Sequence, residues 1–202
     1  MQGAHNAKLF VTNYLKEDFK RRLDDYRFAR RAEGEWFVDD GALPEPAKYL
    51  SYEPLALDEL PAIITVAIST SRFVRDDYTP VMDPLYNVTY TMRSYVWVKA
   101  QGNEEATLMR DRLTTVLRSA LLDYPCLRAN KPEYYLEVMI DEGSMREEFS
   151  DLTLLKGERV LAGAYISYDL SVTERITRLP VGTADEFQIE LEKAALGEPL
   201  PD

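Results

Sequence analysis

Side chains suited to nucleophilic or metal chemistry are scarce in this sequence. The only histidine is His5 and the only cysteine is Cys126. A Ser–His–Asp triad or a Cys–His pair would have to use His5, in a segment near the start that is prone to fraying. Two residues are also too few for a zinc site of His and Cys ligands. Cys126 lies between Pro125 and Leu127, which favours a small buried residue over a reactive thiol.

Carboxylates are numerous, but their spacing does not indicate a catalytic pair. The acidic doublets are Asp24 and Asp25, Asp39 and Asp40, Asp76 and Asp77, and Glu147 and Glu148. Neighbouring side chains diverge on a helix and point to opposite faces on a strand, so these doublets cannot converge as hydrolase carboxylates do. Asp76, Asp77 and Asp83 form the alternative, a cation-binding loop, but they lack regular calcium-ligand spacing. No glycine-rich phosphate loop occurs either. We therefore predict no catalytic, cofactor-binding or metal-binding residue.

Composition indicates the class of protein. The chain has 202 residues, which corresponds to one domain with appendages, and a net charge of −11. An acidic surface is unsuited to gripping phosphates. No signal-peptide core or membrane-length apolar run occurs, and the single cysteine fits a reducing compartment. The sequence thus predicts a soluble protein made in the cytoplasm, with no membrane contact.

Charge is unevenly distributed along the chain. Residues 1–32 contain eight Lys or Arg against four Asp or Glu, whereas residues 133–202 contain six against sixteen. One interpretation is a solvated helix face at one end and a solubilising tail at the other. The other is two surfaces for two different partners. The sequence leaves both open.

Residues 6–32 have the pattern of a long amphipathic helix. Its apolar stripe is formed by Val11, Leu15, Phe19, Leu23 and Tyr26. Gly34 follows as a stop signal. Core packing would cover the stripe, with a partner protein as the alternative. The basic face includes Arg27, Arg30 and Arg31, which we predict to dock on an acidic patch of a neighbouring protein.

The rest of the chain predicts an α+β fold with a mainly antiparallel four-stranded sheet. Residues 1–60 comprise the helix and a proline-rich segment packed on the body, and residues 61–202 form the core domain with an acidic C-terminal segment. The predicted strands are residues 62–70, 85–100, 134–141 and 159–173. A helix capped by Asn103 ends before Pro125, and a weak helix covers 184–196. Residues 71–85 are predicted to form the loop of a projecting hairpin.

The strand over residues 85–100 has an unusual second face. Met92, Val96 and Val98 point to one side as a core requires, while Tyr95 and Trp97 point to the other. Arg93 shares that second side, and aromatic residues and arginine are enriched at interface hot spots. The two alternatives are cover by the chain's own helices and cover by a second copy. We predict a subunit interface at Arg93, Tyr95 and Trp97.

One long phrase carries a resemblance to a known family. YTMRSYVWVKAQGNEEATLMRDRLTTVLRSALLDYP combines a strand, a polar Gly-Asn turn, an alanine-bearing helix and a following proline. With two strands before the helix and two after it, this order resembles the tail terminator (tail-completion) proteins in the neck of long-tailed bacteriophages. The resemblance covers a little over half of the chain. The N-terminal helix and the proline-rich segment lie outside the pattern of the shorter members.

The resemblance implies a structural virion protein without catalytic residues or cofactors. It implies a hexameric ring that caps the tail tube, joins it to head-completion or connector proteins and is assembled in the host cytoplasm. DNA would pass through the ring without specific binding, which an acidic lumen favours. Two alternatives remain: another neck or tail ring protein, such as a connector stopper or tube subunit, and a small cytoplasmic enzyme or peptide-binding adaptor.

Overall fold

The structure is a computed structural model that describes residues 3–34, 43–54, 58–76, 84–149, 154–156 and 159–175. The fold is α+β. The helices are α1 (Gly3–Ala32), α2 (Asn103–Leu121) and α3 (Tyr124–Ala129). The strands are β1 (Lys48–Leu50), β2 (Ala62–Arg75), β3 (Leu85–Ala100), β4 (Tyr135–Phe149), β5 (Leu154–Lys156) and β6 (Arg159–Arg175). No helix in these ranges is long and apolar enough to cross a membrane.

Four long strands dominate the sheet, as predicted. They lie in the order β2-β3-β6-β4, and every neighbouring pair among them is antiparallel. Two three-residue strands that the sequence did not predict extend this sheet. β1 pairs with β2 in parallel, and β5 pairs with β6.

The helices pack on one face of the sheet, which we call the inner face. Every even-numbered residue of β3 from Val88 to Ala100 is buried on this face. The apolar side chains there share one core cluster with those of α1 and α2. The predicted stripe of α1 lies in this cluster, since Val11, Leu15, Phe19 and Leu23 are all buried. Core packing within the chain, and not a partner, therefore covers the stripe.

Polar contacts fix α1 against the C-terminal end of α2. The Tyr14 hydroxyl donates to the carbonyl oxygen of Ala120 at 2.7 Å. Asp18 is buried and accepts a hydrogen bond from Arg21 Nε at 2.9 Å. Burial raises the pKa of the Tyr14 phenol, with the Asp18 carboxylate as a second cause, so the hydroxyl stays a donor. Gly34, with φ of +89°, follows α1 in a conformation that favours glycine.

Several predicted boundaries were wrong, mostly because polar strands resemble loops. β2 continues to Arg75, so the first five residues of the predicted loop over residues 71–85 are strand, and its residues 77–83 lie outside the described ranges. β4 continues to Phe149, well beyond the strand predicted over residues 134–141. Asn103 begins α2 as its first helical residue, while Gly102 holds the N-cap position. The short helix α3 was not predicted, and the predicted helix at 184–196 lies outside the described residues.

Candidate subunit-contact surfaces

The second face of the sheet, which we call the outer face, is built from cross-strand pairs of β3 and β6. Tyr95 lies opposite Tyr165, and Trp97 lies opposite Gly163. Side chains alternate along a strand, so odd-numbered residues of both strands point to this face. From Thr89 to Lys99 the outer-face residues of β3 are all half-buried, whereas those of the inner face are buried. None of the outer-face residues of β3 and β6 belongs to the core cluster.

The sheet brings the three predicted interface residues together in an aromatic cluster on this face. The rings of Tyr95 and Tyr165 are 5.2 Å apart, and the Arg93 guanidinium carbon lies 4.9 Å from the Tyr165 ring centroid. The Tyr165 hydroxyl donates to Glu148, and this hydrogen bond raises the pKa of the phenol. Arg93, Tyr95 and Trp97 therefore pack on β6 within the chain as well as lining the surface.

Trp97 packs closely against Gly163. A Cβ atom added at Gly163 would lie 2.8 Å from Cζ3 of the Trp97 ring, well inside van der Waals distance. The strand can thus hold the indole at this position only because the opposite residue has no side chain. A glycine within a strand is a sequence signal for close approach of another group. Gly163 is the residue in β6 that carries this signal.

The other half of the outer face is polar, and its side chains form hydrogen bonds with one another. The Thr91 hydroxyl donates to Asp169 at 2.8 Å, and the hydroxyls of Thr89 and Ser171 are 3.0 Å apart. These hydrogen bonds join β3 to β6 side chain by side chain. Such a surface needs no second molecule to pair its polar groups.

The proline-rich segment approaches the aromatic cluster. Glu53 and Pro54 line a shallow cavity of about 260 Å³ together with Ile64, Tyr95 and Trp97. Ile64 is only 4% exposed, although it lies on the outer face of β2. Together with the contacts to β6, this arrangement leaves Tyr95 and Trp97 half-buried. The apolar patch is therefore smaller than the sequence pattern suggested.

The exposed apolar side chains lie mainly on the two outer long strands, β2 and β4. Ten large apolar side chains of the described residues are exposed, and six of them belong to these two strands. They are Ile68, Phe73 and Val74 on β2, and Leu136, Met139 and Phe149 on β4. Phe73, Val74 and Phe149 lie outside the strands predicted from the sequence, whereas Ile68, Leu136 and Met139 lie within them.

The three arginines predicted to dock on a partner have different environments. Arg27 is 8% exposed, forms an ion pair with Asp24 at 2.8 Å and donates to the carbonyl oxygen of Leu43. Its guanidinium therefore serves packing within the chain. Arg30 is half-exposed and pairs with Glu33 at 2.7 Å, and Arg31 is exposed. The docking prediction now depends on Arg30 and Arg31.

The candidate chemical groups do not assemble into a site. Cys126 is half-buried, and its sulfur accepts a hydrogen bond from Arg21 at 3.1 Å. His5 is exposed on the first turn of α1. Within the described ranges, no three His, Cys, Asp or Glu residues are grouped so that they could hold a metal ion.

No protein-family model matches the chain, and no curated protein matches it either.

Proposed function

We propose that this chain is a structural protein of the virion neck of a long-tailed bacteriophage. As a tail terminator it forms a closed ring, caps the tail tube and joins it to the head-completion proteins. The N-terminal helix carries a docking surface for a neighbouring neck protein, and the packaged DNA passes through the ring without being bound. The ring contains six copies.

The observation that supports this proposal is that the described helices cover one face of the sheet and not the other. The described helices bury the inner-face side chains of β3 from Val88 to Ala100, while the outer face and both outer long strands keep aromatic, arginine and aliphatic side chains at the surface. Soluble monomers avoid large exposed apolar surface of this kind. Repeated contact between identical copies would bury this apolar surface without further secondary structure. Such a contact gives a closed ring when each copy is related to the next by a rotation that returns to the first copy.

Two further features agree with the proposal. The phrase that resembles tail terminators folds as β3, the turn at Gly102 and α2, which packs on the inner faces of β3 and β6. The net charge of −11 suits a subunit that surrounds DNA, because carboxylates facing a channel repel phosphate. An acidic channel would suit another ring protein of the neck or tail equally well, so assembly on a tail tube must distinguish among them.

The first experiment measures whether the chain closes into a ring. We expect native mass spectrometry of the purified chain to give a single closed oligomer, and negative-stain images to show rings with a central channel. Tail tubes assembled with the cognate tube protein should stop growing when the ring is added. A chain that stays monomeric alone and beside tail tubes refutes the proposal. Rings that leave tube growth unchanged point to another neck component.

The second experiment tests the predicted interface residues. Trp97→Ala should weaken subunit association by about 2–4 kcal/mol, the range of an interface hot spot. Leu108→Ala is the matched control, because Leu108 is 43% exposed on α2, away from the sheet. The free energy of unfolding of the monomer, measured for each variant, separates loss of folding from loss of contact. Equal association of Trp97→Ala and wild type excludes this residue from the contact.

A further inference from the structure

A cavity of about 520 Å³ crosses the polar half of the outer face, and we call it the basic groove. Its floor consists of two rows of residues that are in register across the long strands. The first row is Arg72, Thr89, Ser171 and Met139, and the second is Asn87, Thr173 and Glu137. Arg128 of α3 and Lys131, just after α3, line the groove beside β4. Cations therefore lie at both sides of the groove, on β2 and next to β4.

The cations of the groove are not neutralised by neighbouring side chains. The ion pairs of the described residues involve none of Arg72, Arg128 and Lys131. Lys131 Nζ donates to the carbonyl oxygen of Tyr135 at 2.8 Å, which holds the ammonium at the start of β4. Glu137 is the one carboxylate among the described residues that line the groove. Three cations against one carboxylate leave a positive groove on a chain whose net charge is −11.

The floor of the groove also supplies hydrogen-bond donors. The hydroxyls of Thr89 and Ser171 are 3.0 Å apart and share one hydrogen bond, so one of their two hydroxyl hydrogens remains for another acceptor. Thr173 donates to Oδ1 of Asn87 at 2.7 Å, which orients the amide and leaves the Nδ2 hydrogens for another acceptor. A ligand that is anionic and rich in acceptors therefore matches both the charge and the donors of the groove.

The width of the groove indicates the kind of anion. Neighbouring strands are about 4.8 Å apart, so the first row spans roughly 14 Å from β2 to β4. A single phosphate or carboxylate is too small to reach the cations on both sides, whereas an extended peptide covers this width with about four to five residues. Leu136 and Met139, which are 39% and 49% exposed, add apolar surface at the β4 side. A short acidic segment that also carries an apolar residue fits these features.

We propose that the basic groove binds an extended acidic segment of a partner protein, with one carboxylate at Arg72 and another at Arg128 and Lys131. Arginine suits this role because its guanidinium binds a carboxylate through two parallel hydrogen bonds. A nucleic acid fits less well, because no aromatic side chain lines the described groove for base stacking and the acidic surface repels a polyanion. The inference goes beyond the proposed function and does not depend on ring formation.

Binding of a synthetic peptide tests the groove. The probe is the peptide Glu-Ser-Leu-Ser-Glu with both termini blocked, whose carboxylates match the separation of the cations, and Gln-Ser-Leu-Ser-Gln is its uncharged counterpart. Isothermal titration calorimetry with the full chain should show binding of the glutamate peptide that weakens as salt is added, because exposed charges are screened. The glutamine peptide should bind about tenfold more weakly, or not measurably, since it forms no charge-assisted hydrogen bond.

Four variants locate the binding site. Arg72→Gln and Arg128→Gln should each weaken peptide binding about tenfold, because each removes one charge-assisted contact. Asn87→Asp keeps the size of the side chain and the acceptor for Thr173, but it places a carboxylate on the floor and should abolish binding. Glu137→Gln removes the carboxylate that lines the groove and should strengthen binding about two- to fivefold.

Arg146→Gln is the matched control, because Arg146 is an exposed arginine of the same sheet that does not line the groove. This variant should bind the peptide as the wild-type chain does. Urea unfolding of every variant separates loss of binding from loss of folding. Absence of binding to the wild-type chain, equal binding of the two peptides, or equal binding by Arg72→Gln, Arg128→Gln and Arg146→Gln overturns the proposal. Displacement of the peptide by an equal concentration of inorganic phosphate or of short single-stranded DNA would show a general anion site and overturn the assignment to an acidic peptide.

Discussion

Replacing Gly163 with alanine is the sharpest test of how the outer face is packed. The new methyl carbon would lie 2.8 Å from Cζ3, 2.9 Å from Cε3 and 3.0 Å from Cη2 of the Trp97 ring. Carbon atoms make optimal contact at about 3.5–4.0 Å, so the indole has to move. Trp97 is half-buried at the surface, and its side chain can rotate towards water without displacing the backbone.

The expected energy follows from two opposing effects. Overpacking costs typically about 1–3 kcal/mol, and a surface indole that can move away corresponds to the lower part of that range. Alanine also reduces the conformational entropy of the unfolded chain, which stabilises by about 0.4–1 kcal/mol where the backbone accepts it. Gly163 does not have a positive φ, so alanine fits its backbone. Gly163→Ala should therefore destabilise the wild-type chain slightly and stabilise the Trp97→Ala chain.

A double-mutant cycle measures this difference directly. Urea unfolding of the wild-type chain, the two single variants and the double variant, followed by circular dichroism in one common oligomeric state, should give a coupling free energy of about 1 kcal/mol between Gly163 and Trp97. In a Trp36→Phe background, tryptophan fluorescence reports Trp97 alone and should shift to longer wavelength in Gly163→Ala. Equal effects of Gly163→Ala with and without the indole would refute the packing described for the outer face.

Two further predictions concern pH and salt. Burial raises the pKa of the Tyr168 phenol, which contacts the Ser94 hydroxyl at 3.0 Å. Above about pH 10 the unfolded chain loses this proton while the folded chain keeps it. The free energy of unfolding is therefore unaffected by this group below that pH, and above it falls by up to about 1.4 kcal/mol per pH unit. Tyr168→Phe should reduce the slope, and an unchanged slope in alkaline urea titrations would contradict the assignment. Arg30→Glu with Arg31→Glu should weaken head–tail joining more at low salt than at high salt, because exposed charges are screened within about 8 Å at physiological ionic strength. Equal joining of this variant and wild type at every salt concentration would exclude the docking role.

Periodic apolar patterns made much of this fold predictable. The helix predicted to follow Gly102 and end before Pro125 is present as α2, and β3 has the predicted bounds. These elements pack against a continuous inner face, so their side chains repeat at the helical or strand period. For these two elements, which each bury one face, the sequence alone was sufficient to predict that the element exists and what type it is.

Elements defined by backbone pairing were not predictable in the same way. The end of β2 reads SRFVR and the end of β4 reads EGSMREEF, and both are mostly exposed. They are strands because β3 and β6 offer hydrogen-bonding partners to their backbones. β1 is three residues long and exists only through its pairing with β2. Apolar and polar residues do not alternate along such segments, because neither face of them is buried and no core requires apolar side chains there.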